Sequence, residues 1–195
     1  MKRFKINEIF YSIQGEGYHA GTPAVFVRFS GCNLHCPFCD TYHQDGTMMS
    51  EEEIVAKVCK YPAQLVVITG GEPSLFIDEA FIELLHQSHK QVAVETNGTR
   101  RLPFNVDFVT ISPKFEYCDN AEINALRADE LKVVYTGKND MSRYDNIKAE
   151  HYYLQPCDTG DAEENRRIYR ATVKYCLEHP KWRISLQTQK ILNVR

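Results

Sequence analysis

Cys32, Cys36 and Cys39 fall in a CxxxCxxC spacing within Gly31-Cys32-Asn33-Leu34-His35-Cys36-Pro37-Phe38-Cys39-Asp40-Thr41. Three thiolates this close make a soft donor set, which selects zinc, cuprous copper or an iron–sulfur cluster over magnesium or calcium. A structural zinc ion takes four protein ligands, commonly as two short Cys or His pairs lying apart in the chain. No second pair exists, and His35 or His43 could complete a zinc site only from within or beside this tight loop. A four-iron, four-sulfur cluster held by three cysteines departs from the usual four and leaves one iron open to a non-protein ligand. The first arrangement is a staple; the second is a reaction centre.

Other residues could do chemistry if they face the same place. Gly70-Gly71 follow the apolar run Leu65–Thr69, where a missing Cβ lets backbone approach a ligand, or simply makes a turn closed by Pro73. Glu95 ends an apolar run, and a buried carboxylate needs hydrogen bonds or a cation, with Arg100 or Arg101 as a structural partner. Ser112 with Lys114, and Gln155 with Pro156, also end apolar runs; a lone lysine is ordinarily a solvated charge and Gln-Pro an exit turn. Gln14-Gly15-Glu16 reads as a hairpin turn. Arg28 interrupts Val25–Phe29, and alternation places it on the Phe26 face, pointing inward. There it would hold a carboxylate bidentately or close a structural salt bridge. Thr41 offers a hard oxygen of the kind magnesium accepts beside waters and substrate oxygens, or else a turn cap.

These residues need elements to carry them. Short β-branched runs at 24–29, 65–69, 92–95, 108–112, 131–135 and 152–155 read as six buried strands. Ser50-Glu51-Glu52-Glu53 is a capping box opening a helix to about residue 60. A second helix spans about 78–89 with Phe81, Leu84 and Leu85 on one face, and a third about 163–178 with Ile168, Val173, Tyr175 and Leu177. Strands alternating with helices predict a parallel α/β sheet with crossovers. Residues 96–107, with Gly98 and Pro103, are poor material for a crossover helix, so some helices should be missing. The motifs follow strand ends, and by analogy with closed α/β barrels one mouth should hold them all.

Composition narrows the classes. With 195 residues, 43% hydrophobic and 25% charged, the chain can bury one sizeable core, so a single domain over 1–195 is expected. A formal charge of −3 without a basic run gives no nucleic-acid footprint and no membrane anchor. A charged N-terminus and no long apolar stretch predict a cytoplasmic protein. Seven cysteines in a reducing compartment are then metal ligands plus isolated thiols, with Cys59, Cys118, Cys157 and Cys176 read as small buried hydrophobes.

The cysteine loop resembles that of the radical S-adenosylmethionine (SAM) enzymes. The surrounding Gln14-Gly15-Glu16-Gly17, Cys39-Asp40-Thr41, Thr69-Gly70-Gly71-Glu72-Pro73, Glu95-Thr96-Asn97-Gly98, Ser112-Pro113-Lys114, Gln155-Pro156 and Ser185-Leu186-Gln187-Thr188 are similar, nearly end to end, to the 7-carboxy-7-deazaguanine synthase family. That resemblance implies a partial (β/α)6 barrel with some helices reduced, and a [4Fe-4S] cluster on Cys32, Cys36 and Cys39. It implies SAM contacts from Phe38, Gly71, Glu72, Glu95, Ser112, Lys114, Gln155 and Pro156, and Mg2+ on Thr41. Substrate contacts would come from Ile13, Gln14, Gly15, Glu16, Arg28, Thr69, Gln189 and Arg195. It further implies a lyase that turns 6-carboxy-5,6,7,8-tetrahydropterin into 7-carboxy-7-deazaguanine with loss of ammonia, for queuosine and other 7-deazapurines. The radical derives from SAM, no protein residue is assigned as catalytic, and an external reductant such as flavodoxin and a homodimer are expected. Two departures stand out: Gln189 occupies a position often held by His, and Arg195 ends the chain where a proline carboxylate would meet substrate. A glycyl-radical activating protein could share the cysteine loop and Gly-Gly-Glu-Pro; Gln14, Glu16, Arg28 and Thr41 discriminate against it. A zinc-stapled binding module is the alternative from outside the enzymes.

Overall fold

Among the described residues nine strands, β1 (Arg3–Ile13), β2 (Pro23–Phe29), β3 (Thr47–Ser50), β4 (Leu65–Gly70), β5 (Gln91–Thr96), β6 (Phe108–Ile111), β7 (Glu130–Tyr135), β8 (His151–Pro156) and β9 (Trp182–Ile184), make one mixed sheet. Its order is β3-β1-β2-β4-β5-β6-β7-β8-β9. The computed structural model describes residues 2–195 apart from Phe38, Asp40 and Tyr42. From β2 to β9 every neighbouring pair is parallel, and β1 joins β2 and β3 antiparallel. Helices α1 (Glu51–Val58), α2 (Glu79–Gln87), α3 (Ala162–Glu178) and α4 (Thr188–Leu192) complete the fold. None of the described helices is long and apolar enough to cross a membrane.

Helix starts follow side-chain caps. Ser50 and Glu53 close the reciprocal capping box of α1, with Glu53 N donating to Ser50 Oγ at 3.2 Å and Ser50 N to Glu53 Oε2 at 2.7 Å. Asp78 accepts from Phe81 N at 3.0 Å to open α2. Strand alternation sorts the core into two faces. Val25, Val27, Phe29, Val66, Ile68, Val92, Val94, Val109 and Ile111 pack beneath α1 and α2, while Ala24, Phe26, Leu65, Val67 and Ala93 pack with Phe10 on the other side. The six predicted strands are all present, and residues 97–107 carry no helix.

Three strands were not predicted. In β1 the register slips between Ile6 and Glu8. A bulge of this kind flips the side-chain alternation, so Phe4 and Ile6 join the helix-side core while Phe10 packs with Phe26 on the opposite face. A reading by strict alternation loses such a strand, and β3 and β9 are too short to show one. The third helix also differs from expectation: Ile168 and Thr172 are its buried positions, whereas Val173 and Leu177 are exposed.

Candidate active site

One cleft of about 650 Å³ is lined by residues from β1, β2, β4, β5, β7 and β8, the loops that follow the strands, and the C-terminal segment. Small-molecule sites span about 300–1,000 Å³. The cysteine loop, Gly70-Gly71, Asn97, Ser112, Lys114 and Pro156 gather at the C-terminal ends of parallel strands. Gln14, Gly15 and Glu16 do not share that mouth. They belong to the β1–β2 hairpin, at the N-terminal ends of the parallel strands, and enter the cleft from the opposite side.

At the thiol end, Cys32, Cys36 and Cys39 all border the cleft. Cys32 Sγ accepts from Leu34 N at 3.4 Å, and Cys39 Sγ donates to the Thr41 carbonyl at 3.5 Å. Backbone bonds strap the loop to β4: Gly71 N donates to Phe29 O at 3.0 Å and Glu72 N to Gly31 O at 2.9 Å. A Cβ on Gly71 would lie 2.0 Å from Gly31 O, so only glycine allows this approach. Among the described residues no three His, Cys, Asp or Glu side chains converge on a single-ion position. The thiols instead border a shared space, which fits a polyatomic cluster whose last ligand comes from outside the protein. Burial raises the Cys32 thiol, and burial with the neighbouring Cys118 pushes Cys36 up to about 12 against the pull of Lys114. Metal loading must therefore displace protons. Lys114 Nζ donates to Ser112 O and Oγ, both at 2.6 Å, and burial lowers its pKa to about 8.

Glu72 is placed differently from its expected contact with SAM. Its side chain is 0% exposed and accepts from Thr96 Oγ1 at 2.6 Å, Asn97 N at 2.7 Å and Ser74 N at 3.0 Å. It ties the loop after β4 to the loop after β5, leaving Gly70 and Gly71 to border the cleft.

Across the cleft lies a charged network around Lys132, a residue that sequence reasoning missed. Its ammonium donates to Glu16 Oε2 at 2.6 Å and Glu95 Oε1 at 3.3 Å. Burial alone would strip its charge, but Glu16, Glu95 and Glu130 outweigh burial and raise its pKa. Burial likewise opposes ionisation of Glu16, and Lys132, Gln187 and Gln189 overcome it, holding the carboxyl well below its usual range. Gln187 and Gln189 donate to Glu16 Oε1 at 3.0 and 3.1 Å. Glu95 also accepts from Gln14 Nε2 at 3.2 Å and Thr69 Oγ1 at 3.1 Å. Its partners are thus Lys132, Gln14 and Thr69 rather than Arg100 or Arg101, and Gln14 and Thr69 are among the expected substrate contacts. Gln189 Oε1 is buried with no hydrogen-bond partner among the described residues, an acceptor that a ligand N–H would satisfy.

A third group joins these ends. Arg28 donates from Nε to Glu8 Oε1 at 3.0 Å and from Nη1 to Thr41 Oγ1 at 3.1 Å. Two of its five N–H donors are used in these contacts. Glu8 also pairs with Arg195, whose guanidinium lies over the Phe10 ring at 5.2 Å. Arg28, Thr41, Ile13 and Arg195 all border the cleft. Gln155 receives a hydrogen bond from Ser185 Oγ at 3.2 Å, and Thr188 fastens the C-terminal segment to Gly15 O. The Phe38 contact expected for SAM lies outside the described residues.

The profile of the Radical SAM superfamily matches residues 26–113. A 7-carboxy-7-deazaguanine synthase of Bacteroides thetaiotaomicron is 55% identical over 98% of both chains, and one of Caulobacter vibrioides is 39% identical over 98% of this chain and 99% of its own. The crystal structure of QueE from Escherichia coli superposes with a TM-score of 0.79 at 27% identity, covering 94% of this chain and 93% of that one.

Proposed function

The chain belongs to the 7-carboxy-7-deazaguanine synthase family of radical SAM enzymes, and on that premise we propose that it converts 6-carboxy-5,6,7,8-tetrahydropterin to 7-carboxy-7-deazaguanine with release of ammonia. The observation that carries the reading is a single cleft with three thiols on one side and a buried Glu16–Lys132–Glu95 network on the other. A [4Fe-4S] cluster on Cys32, Cys36 and Cys39 and SAM beside Gly71, Ser112, Lys114, Gln155 and Pro156 supply, when bound, the one-electron chemistry that breaks a substrate C–H bond.

The protein's own part is recognition and exclusion. Lys132 holds Glu16 ionised and bonds Glu95, and the carboxyl oxygens of both accept from ring N–H and amino groups. Gln189 Oε1 accepts a further donor, and Gln14 and Thr69 brace Glu95. Arg28 meets the substrate carboxylate with its remaining donors, and Thr41, on the same guanidinium, offers its hydroxyl oxygen to magnesium shared with that carboxylate. The β1–β2 hairpin and the C-terminal segment, joined at Gly15 and Thr188, close the far side against water. In this reading the sheet from β2 onward is a partial (β/α)6 barrel with crossover helices missing, and residues 1–195 act as one domain. The protein works in the cytosol as a homodimer, with an electron donor such as flavodoxin.

The test is anaerobic reconstitution with iron and sulfide, then SAM, magnesium, a strong reductant and the carboxylated pterin, with products read by mass spectrometry. 7-Carboxy-7-deazaguanine should form and should vanish when Cys32, Cys36 or Cys39 is replaced by Ala. A loaded cluster that yields no such product would overturn the substrate assignment.

A further inference from the structure

Cys118 has a neighbour that its place in the sequence does not advertise. Its sulfur lies 3.8 Å from Cys36 Sγ across 82 positions of chain, and among the described residues it is the one sulfur–sulfur contact. The turn after β6 aims it there: Cys118 N and Tyr117 N both donate to Lys114 O, at 3.0 and 2.9 Å, and Tyr117 Oη is fixed to Val134 O at 3.2 Å. Cys118 does not border the cleft, whereas Cys36 does, so Cys118 stands behind one ligand rather than beside the other two. Both thiols are partly exposed, within reach of a small reagent. Neither residue is in a helix or strand, so the movement from sulfur contact to a bond of about 2.05 Å falls on loop backbone.

We propose that Cys36 and Cys118 close a reversible disulfide in the cluster-free chain, withdrawing one of three ligand thiols and keeping the site from taking up iron under oxidising conditions. The oxidant is a low-molecular-weight disulfide of the glutathione class. One protein thiolate attacks it, releasing one small thiol and leaving a mixed disulfide. The second protein thiolate displaces the other small thiol and forms the Cys36–Cys118 bond. Two protein S–H bonds are lost, one S–S bond is exchanged for another, and two electrons and two protons end on the small thiols. An excess of reduced thiol reverses it. Among the described residues Cys36 is the ligand thiol in contact with Cys118, while Cys32 meets Leu34 N and Cys39 the Thr41 carbonyl, so the pairing expected is Cys36 with Cys118.

The inference rests on Cys36 being a cluster ligand, and the experiment separates that premise from the pairing. Cluster-free protein is incubated anaerobically with glutathione disulfide, digested and mapped, and parallel samples are reconstituted with iron and sulfide. A linked peptide pair containing Cys36 and Cys118, lighter by two hydrogens, is expected. Iron uptake should fall about tenfold or more, as loss of a ligand thiolate demands, and return after dithiothreitol. Cys118→Ser should keep full uptake after the same oxidation; if it folds poorly, the map of the unaltered chain decides alone. A linkage within Cys32, Cys36 and Cys39, or unchanged uptake by the linked chain, would overturn the proposal. Failure of the reduced chain to take up iron would instead overturn the cluster assignment.

Discussion

Thr41 and Arg28 share a hydrogen bond, so a change at either reaches the same substrate group. Thr41→Ala should raise the magnesium needed for half-maximal turnover while Thr41→Ser retains it, as read by magnesium titration at fixed substrate; an unchanged titration removes Thr41 from the metal. Arg28→Gln keeps donors but loses the charge and the planar fork, and should weaken binding of the carboxylated pterin by about 1.5–3 kcal/mol in KM or Kd. Binding no weaker than wild type would leave Arg28 with a structural role toward Glu8 and Thr41. Arg28 was legible because a cation inside Val25–Phe29 must find an anion on the inner face. Lys132 inside Leu131–Tyr135 obeys the same logic, but nothing in the sequence names Glu16, 116 positions away, as its partner. Glu72 stands in a glycine-rich loop that looks ligand-facing, yet it is spent entirely on backbone and Thr96. Cys118 shows no short spacing to another thiol, and only the turn after β6 reveals its contact.

The loops after β4 and β5 behave as one unit because Glu72 accepts from both. Glu72→Gln replaces an acceptor oxygen with a donor facing donors, and should cost about 1–3 kcal/mol, seen as a lower Tm and faster amide exchange at Asn97 and Ser74. Unchanged exchange at both amides would show that the loops stand without it. Ser50→Ala opens the capping box of α1 and should cost about 1 kcal/mol, with activity kept, in denaturant unfolding. The six parallel strands could be read from their runs because buried β-branched segments need little context. β1 could not, since its bulge reverses the alternation midway, and without β1 the position of its hairpin at the far end of the cleft was hidden as well. The apolar residues of α3 misled in the same way: its buried face includes Thr172, whose hydroxyl bonds back to Ile168 O at 2.8 Å, while Leu177 faces outward.

Across the molecule, Lys132 bonds the β1–β2 hairpin and β5 to β7, so its removal should be felt in both stability and recognition. Lys132→Met leaves Glu16 and Glu95 facing one another without their cation, and breaking such a buried pair costs about 3–5 kcal/mol. The pH dependence follows from the depressed Glu16 carboxyl, whose stabilisation is full above the ordinary carboxylate range and is lost as pH falls through its lowered value. The variant lacks that gain and is relieved when its carboxyls protonate. Its Tm deficit should therefore be largest at pH 7 and smaller at pH 3; an equal deficit at both would mean the loss is packing alone. The two sides of the cleft are built by different elements, thiols after β2 and the Glu16 network from the hairpin and β7, so cofactor cleavage and substrate conversion should separate. The decisive measurement is the ratio of 7-carboxy-7-deazaguanine to 5′-deoxyadenosine in one anaerobic reaction with the carboxylated pterin, run for wild type, Cys36→Ala and Glu16→Gln. The cleft described here predicts that wild type makes 7-carboxy-7-deazaguanine, Cys36→Ala makes neither product, and Glu16→Gln still releases 5′-deoxyadenosine while little of the pterin becomes 7-carboxy-7-deazaguanine. Wild-type 5′-deoxyadenosine without 7-carboxy-7-deazaguanine would contradict the assignment of this cleft to that pterin.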